Sequence, residues 1–213
     1  MTPDLIQSLF TRPDGQFLCA RWARPIAPVV FGTDDATLAT VKGAIEALAR
    51  IARLPTAETD PEIGANFMLF FFRDWAELTE VPDLDRIIPD LAPLCARLAD
   101  QGANQYRVFR FDSDGAIRAV FTFLRMDEHL AEMPASDLAL VQAAEAMLTW
   151  GEGAFFKVAP LAQTPEGDVF LRPDLATLIR VAYDPALPVS ASDPSHALRL
   201  AARLTAAEGG AHA

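Results

Sequence analysis

Glu145 is the first residue of this chain that invites a chemical reading. It lies in Ser136-Asp137-Leu138-Ala139-Leu140-Val141-Gln142-Ala143-Ala144-Glu145-Ala146-Met147-Leu148-Thr149-Trp150-Gly151. There, only Gln142, Glu145 and Thr149 interrupt an otherwise apolar helical surface. A carboxylate in such a helix costs free energy unless it is paired or protonated, which makes Glu145 the candidate catalytic group. The alternative is that it sits at the helix's one wet edge. A second set is cationic. Arg107, Arg110, Arg118 and Arg125 gather positive charge on two adjoining strands of a chain whose net charge is −11. Arg107 and Arg118 are candidates to grip one carboxylate or phosphate between them. The plainer expectation is cross-strand pairing with the protein's own acids.

Other polar clusters carry less. The histidines His129, His196 and His212 have no second His or Cys at ligand spacing, and no H-E-x-x-H occurs, so no metal site is expected. In Asp127-Glu128-His129 the residues are one and two apart and do not converge on a helix; they read as a solvated connection. No G-x-S-x-G, P-loop or G-x-G-x-x-G is present. Gly151-Glu152-Gly153 lacks a third glycine and follows a helix rather than a strand. The serines occupy turn or cap contexts, and Ser195-His196 are sequential neighbours, which is not how a nucleophile and its base meet. No cofactor is implied.

These residues need a scaffold, and the composition supplies one. The chain has 213 residues, half of them hydrophobic and about a fifth charged, the balance of a globular protein. It reads as one α/β domain over residues 1–213, with 1–16 and 208–213 peripheral. Acidic residues spread along the chain argue against nucleic acid and against anionic membrane surfaces, both of which need a cationic face. The N-terminus has no basic region, long apolar stretch or cleavage site, so a cytoplasmic location is expected. No run approaches a membrane span. Cys19 and Cys95 stand among apolar neighbours and read as two buried free thiols rather than a bridge.

Along the chain, Arg12-Pro13-Asp14-Gly15 is a turn, Phe17 to Trp22 alternates as a strand, and 25–31 is an extended segment confined by its prolines to an edge. Gly32-Thr33-Asp34-Asp35 caps a helix running to about Leu54, ended by Pro55. Glu58, Asp60 and Glu62 fall in a polar loop and are expected to be solvated. Asn66 to Phe72 is a central strand, apolar on both faces and therefore covered on both. A short turn and a helix from about Asp90 come next, with Pro93 in the first helical turn. Gln105–Phe111 and Ala116–Leu124 flank Asp-Gly, the favoured hairpin chemistry. Ile117, Ala119, Phe121 and Phe123 are expected on one face of the second strand. The core helix is expected over 136–150, stopped by Gly151. A turn at 164–168, a helix opened by Arg172-Pro173-Asp174, and a last helix from Asp193 to about Ala207 complete the chain. The sheet is expected to be small, mixed or antiparallel, with the core helix packed on it and further helices at both ends.

Tyr183-Asp184-Pro185, closing an apolar helix, resembles the end of a bacterial domain family of unknown function, mostly exported and related to zinc-dependent peptidases. Arg21-Trp22-Ala23-Arg24-Pro25-Ile26 and Ala65-Asn66-Phe67 are similar to that family's opening strand and its Ala-Asn strand, in order over roughly residues 17–205. The resemblance implies a zincin-like fold with an acid-bearing site helix. Aligned on Gly151, this chain keeps Glu145 but has Ala144 and Leu148 where the family is polar. A zinc peptidase needs two imidazoles one turn apart beside its glutamate, and this helix offers none. Three readings remain: a non-catalytic zincin-like domain that binds a protein or peptide, a hydrolase using Glu145 with a hairpin arginine, and a small-anion-binding protein built on Arg107 and Arg118.

Overall fold

The computed structural model describes residues 1–210, with side chains to residue 207; His212 and the end of the 208–213 tail lie outside the described residues. The N-terminal helix α1 (Pro3–Leu9) has proline in its first turn and a Thr2 cap. Contrary to expectation the segment is not peripheral: Ile6, Leu9 and Phe10 are fully buried in the main core. Only Cys19–Ala20 (β1) of the alternating stretch 17–22 forms a regular strand. β2 (Pro28–Phe31) leads into α2 (Asp35–Ala52), where the Asp34 carboxylate accepts from Thr37 N–H at 2.7 Å and Arg53 closes the helix in a left-handed conformation. β3 (Phe67–Phe72) is followed by a 3-10 turn at Trp75–Glu80, then α3 (Leu84–Ile87) and α4 (Leu91–Asp100). Pro93 lies in the first turn of α4, where its missing N–H is harmless. The hairpin is β4 (Gln105–Phe111) and β5 (Ile117–Arg125). The remainder is α5 (Glu128–Glu132), α6 (Ala135–Met147), α7 (Ala154–Lys157), a small hairpin of β6 (Leu161–Gln163) and β7 (Val169–Leu171), α8 (Pro173–Ala182), β8 (Ser190–Ala191) and α9 (His196–Gly210).

The sheet is mixed, as one of the two expectations had it. Its order is β2-β3-β5-β4, with β2, β3 and β5 parallel and β4 antiparallel at one edge. Small two-stranded pairs, β1 with β8 and β6 with β7, lie apart from it. Because β3 is apolar on both sides, it divides two cores. Phe67 and Leu69, with Val120 and Leu124 of β5, join the core that contains α2, α6, α8, α9 and α1. Phe70 and Phe72, with Ala119, Phe121 and Phe123, meet the 3-10 turn, α3 and α4. Helices therefore cover both faces of the sheet, as the apolar central strand led one to expect. Cys19 and Cys95 are free and buried in different cores, on opposite sides of the sheet. No helix among the described residues is long and apolar enough to cross a membrane.

Two local expectations are corrected. A bulge between Arg110 and Phe111 pairs Phe111 with Ile117 and Arg110 with Ala119, leaving Arg118 as the extra residue. The bulge moves Ile117 to the opposite face from Ala119, Phe121 and Phe123, into the larger core. The core helix ends three residues early, at Met147. Leu148 is extended, and Thr149 N–H bonds to the Ala20 carbonyl at 3.2 Å. The Thr149 hydroxyl accepts from Ala20 N–H at 2.8 Å and donates to the Leu18 carbonyl at 3.0 Å, so this segment joins the β1 strand. The freed helix carbonyls are capped by side chains from elsewhere: Trp150 Nε1 on Ala144 (2.9 Å), Trp22 Nε1 on Ala146 (2.8 Å) and the Tyr183 hydroxyl on Met147 (2.6 Å). Gly151 does not stop the helix; it lets the chain pass against α1, where an added Cβ would stand 2.4 Å from the Thr11 carbonyl oxygen.

Candidate functional site

α6 lays Gln142 and Glu145, one turn apart, over the β4 edge of the sheet. Arg107, on the same face of β4, points at both. Its Nη2 donates to Gln142 Oε1 at 2.5 Å and bonds Glu145 Oε2, and its Nε donates to the Thr122 hydroxyl at 3.2 Å across the strand pair. Gln142 in turn donates to Gln105 Oε1 at 3.1 Å. Thr122 and Gln142 are buried, while Arg107 and Glu145 keep 18% and 12% of their side chains exposed. The expected need of Glu145 for a partner is met by Arg107. Physically the cluster is a polar clasp that fixes α6 to the hairpin.

Arg118 is not brought to Arg107. Arg107 lies opposite Thr122, while Arg118 sits at the bulge, nearer the turn. Its partners are Glu62 (3.5 Å) and Asp112 (3.9 Å). It belongs to a second network that the sequence reading missed. Arg24 reaches Asp60 at 3.3 Å, Glu62 at 3.2 Å and both oxygens of Asp112 at 3.1 and 3.2 Å. Asp60, expected to be solvated, is buried. Burial pushes its carboxyl up, but the N–H groups of Glu62 and Ile63, the Asn66 amide and Arg24 outweigh that and hold it below the ordinary carboxylate range. Asn66, fully buried, accepts from Ala27 N–H at 2.8 Å and donates to the Pro25 carbonyl at 2.8 Å and to Asp60 at 3.0 Å. The network ties the approach to β2, the start of β3 and the hairpin turn together.

The remaining candidates lie apart. Asp127 caps α5 through Leu130 N–H at 2.9 Å, and His129 is exposed. His196 was not singled out as a core residue, yet it is buried and its Nδ1 has no partner. The signal was present: Leu200 and Leu204, four and eight residues on, are also buried and share its helical face. Burial, then Arg199 and Arg203, lower its pKa. Cys19 is pushed up to about 12 by burial, with Arg21 opposing, which disfavours its thiolate form. Burial raises the Tyr183 hydroxyl as well, against the opposing Trp22 N–H and Arg21. Among the described residues no group of three or more His, Cys, Asp or Glu is placed to hold a metal ion. A surface hollow of about 540 Å³ is lined by Asp4, Gln7, Arg12, Glu152 and Lys157, and one of about 250 Å³ by Gly32, Thr37, Phe71, Met126, Leu130 and Leu138. Neither includes Glu145, Arg107 or Arg118.

One backbone feature beside the clasp stands out. Arg125 N–H bonds to the Asn104 carbonyl at 2.8 Å, which by strand alternation turns the backbone groups of Tyr106, Val108 and Arg110 toward β5. Those of Gln105, Arg107, Phe109 and Phe111 face outward, beyond the last strand of the sheet. Comparison with protein-family models, with curated proteins and with solved structures gives no match.

Proposed function

We propose that the chain is a non-catalytic binding domain that takes an extended protein segment along the outer edge of β4. The observation that carries this reading is the seven-residue, proline-free edge with its outward row of donors and acceptors. Such an edge is a template for an added strand, the main-chain bonds giving affinity and the alternating side chains specificity. Tyr106, Phe109 and Phe111 lie along it, which favours a segment carrying aromatic or β-branched residues. The groups with catalytic potential support the same reading because they are occupied with one another, Glu145 by Arg107 and Arg118 by Glu62 and Asp112. A zincin-like ancestry belongs to the proposal, with the site helix kept as a core helix.

The test is selection of random 12-residue peptides on the immobilised chain and on Gln105→Pro, which deletes one outward N–H at an edge where proline is tolerated. Selected peptides should bind the parent, lose at least tenfold on the variant, and slow amide exchange at residues 105, 107, 109 and 111. Peptides that bind both equally, or protect amides elsewhere, overturn it. A second reading, a hydrolase using Glu145 with Arg107, is favoured by the contact between those two side chains. It requires a hydrolytic activity on ester or peptide substrates that Glu145→Gln abolishes in a folded protein.

A further inference from the structure

We infer that the segment taken up by β4 is β4 of a second copy of this chain, paired antiparallel about Val108. The inference rests on the strand-addition reading and names its occupant. Its first support is the contrast between the two edges of the sheet. β2 is blunted: Pro28 offers no N–H, and the Ile26 backbone just before it is already bonded to Pro55 and Ala57 at 3.1 and 2.8 Å. β4 has neither device. Among its outward carbonyls, Phe109 receives a long 3.4 Å contact from Arg110 Nη1. β4 carries two arginines and faces the bulge at Arg118, but its outward N–H groups are all present and its length is seven residues, which leaves it the sheet edge able to take an added strand.

The second support is the order of side chains in Gln105-Tyr106-Arg107-Val108-Phe109-Arg110-Phe111. Antiparallel self-pairing must join outward-facing residues to outward-facing residues. Centred on Val108, it joins Arg107 to Phe109 and Gln105 to Phe111, with Tyr106 opposite Arg110 and Val108 opposite itself. All seven residues are used, each arginine stands opposite an aromatic residue, and no like charges oppose. Centred one residue earlier, Arg107 stands against Arg107. Centred one later, Gln105 and Tyr106 lose their partners. Phe111, exposed to 39% and 6.4 Å from Phe109, would lie against Gln105 of the other copy. The second copy thereby covers the open flank of the Arg107–Glu145 clasp, and two four-stranded sheets become one.

The test reads mass, register and exchange together. Light scattering on the purified chain at tens of micromolar should give twice 23.1 kDa. Val108 pairs with itself at a site without direct hydrogen bonds, where Cα atoms lie about 4.5 Å apart, within disulfide range. Oxidised Val108→Cys should therefore run as a covalent dimer. Tyr106→Cys and Arg110→Cys should not link alone but should link when mixed. The native thiols are buried and give little background. Amides 105, 107, 109 and 111 of the unmodified chain should exchange slowly when concentrated and at least tenfold faster on dilution, a readout independent of any variant's folding. A monomer whose four outward amides exchange fast at every concentration overturns the inference, as does a dimer that Val108→Cys fails to link. If that monomer still takes selected peptides along β4, strand addition survives and self-pairing falls. If it takes none, both fall.

Discussion

Replacing Glu145 by glutamine separates a structural clasp from a catalytic acid. Removing one partner of a buried ion pair costs about 3–5 kcal/mol when the other charge is left uncompensated. Here the side chains are 18% and 12% exposed, and Gln142 Oε1 still accepts from Arg107 at 2.5 Å. The cost should therefore be roughly half, about 2 kcal/mol. For a domain of this size that corresponds to a melting temperature lower by about 4–8 °C. Arg107→Met strands the Glu145 carboxylate instead, and should cost about as much. The double variant faces glutamine with an aliphatic chain and leaves no buried charge, so it should be less destabilised than the sum, with a coupling of about 2 kcal/mol. Urea unfolding of all four proteins, followed by far-ultraviolet circular dichroism, measures the cycle. Additivity within about 0.5 kcal/mol, or an unchanged midpoint for Glu145→Gln, would refute the clasp. An unpaired carboxylate kept in an apolar helix would then require a functional explanation.

Gly151→Ala should destabilise by about 2–3 kcal/mol, because its Cβ would meet the Thr11 carbonyl at 2.4 Å and neither backbone can yield easily; thermal melting checks this. Cys19 and Cys95 should resist a thiol-specific chromogenic reagent at pH 8 in the native protein and react together in guanidinium, since burial raises both pKa values; rapid native reaction at Cys19 would contradict its burial. Stability should fall on acidification in two windows. His196 has its pKa lowered from 6.5 by burial, so the unfolded chain binds its proton first and stability declines as pH drops below about 6.5. Asp60 is held below its ordinary 3.8, so its contribution is intact above that value and is lost as pH falls through it. His196→Gln should flatten the upper window alone in urea titrations between pH 7 and 5.

What the sequence made legible was local. The hairpin, α2 opening at Gly32-Thr33-Asp34-Asp35, the core strand and the α4 start at about Asp90 are written in periodicity and turn chemistry, signals that act within a few residues. The end of α6 is not local. Thr149 leaves the helix because Leu18 and Ala20, about 130 residues earlier, offer it strand partners. Asp60 is indistinguishable from a solvated loop acid until Arg24 and Asn66 close on it. The bulge at Arg118 shifts one residue across the sheet without leaving a mark in the alternation. The candidate site shows the same division. Glu145 and Arg107 were each visible by type and context, but which of the hairpin arginines met the glutamate depended on strand register, and the open edge depended on sheet order.

The residues on which a zincin-like likeness was expected to rest have structural partners. Trp22 and Tyr183 meet at the end of α6, where both cap its carbonyls, and Arg21 lies 5.5 Å from the centre of the Tyr183 ring. Asn66 bonds the backbone on both sides of Ile26. Asp184 accepts from Ala186 N–H at 2.8 Å and from Arg203 at 2.8 Å, fixing the turn between α8 and β8. Each of these side chains holds backbone in place, and none of them bonds Glu145. A likeness resting on residues of this kind speaks to how a chain folds and is silent on what it catalyses. Function has to be sought where the fold leaves its bonding unfinished, and on this molecule the row of backbone groups along β4 is such a place.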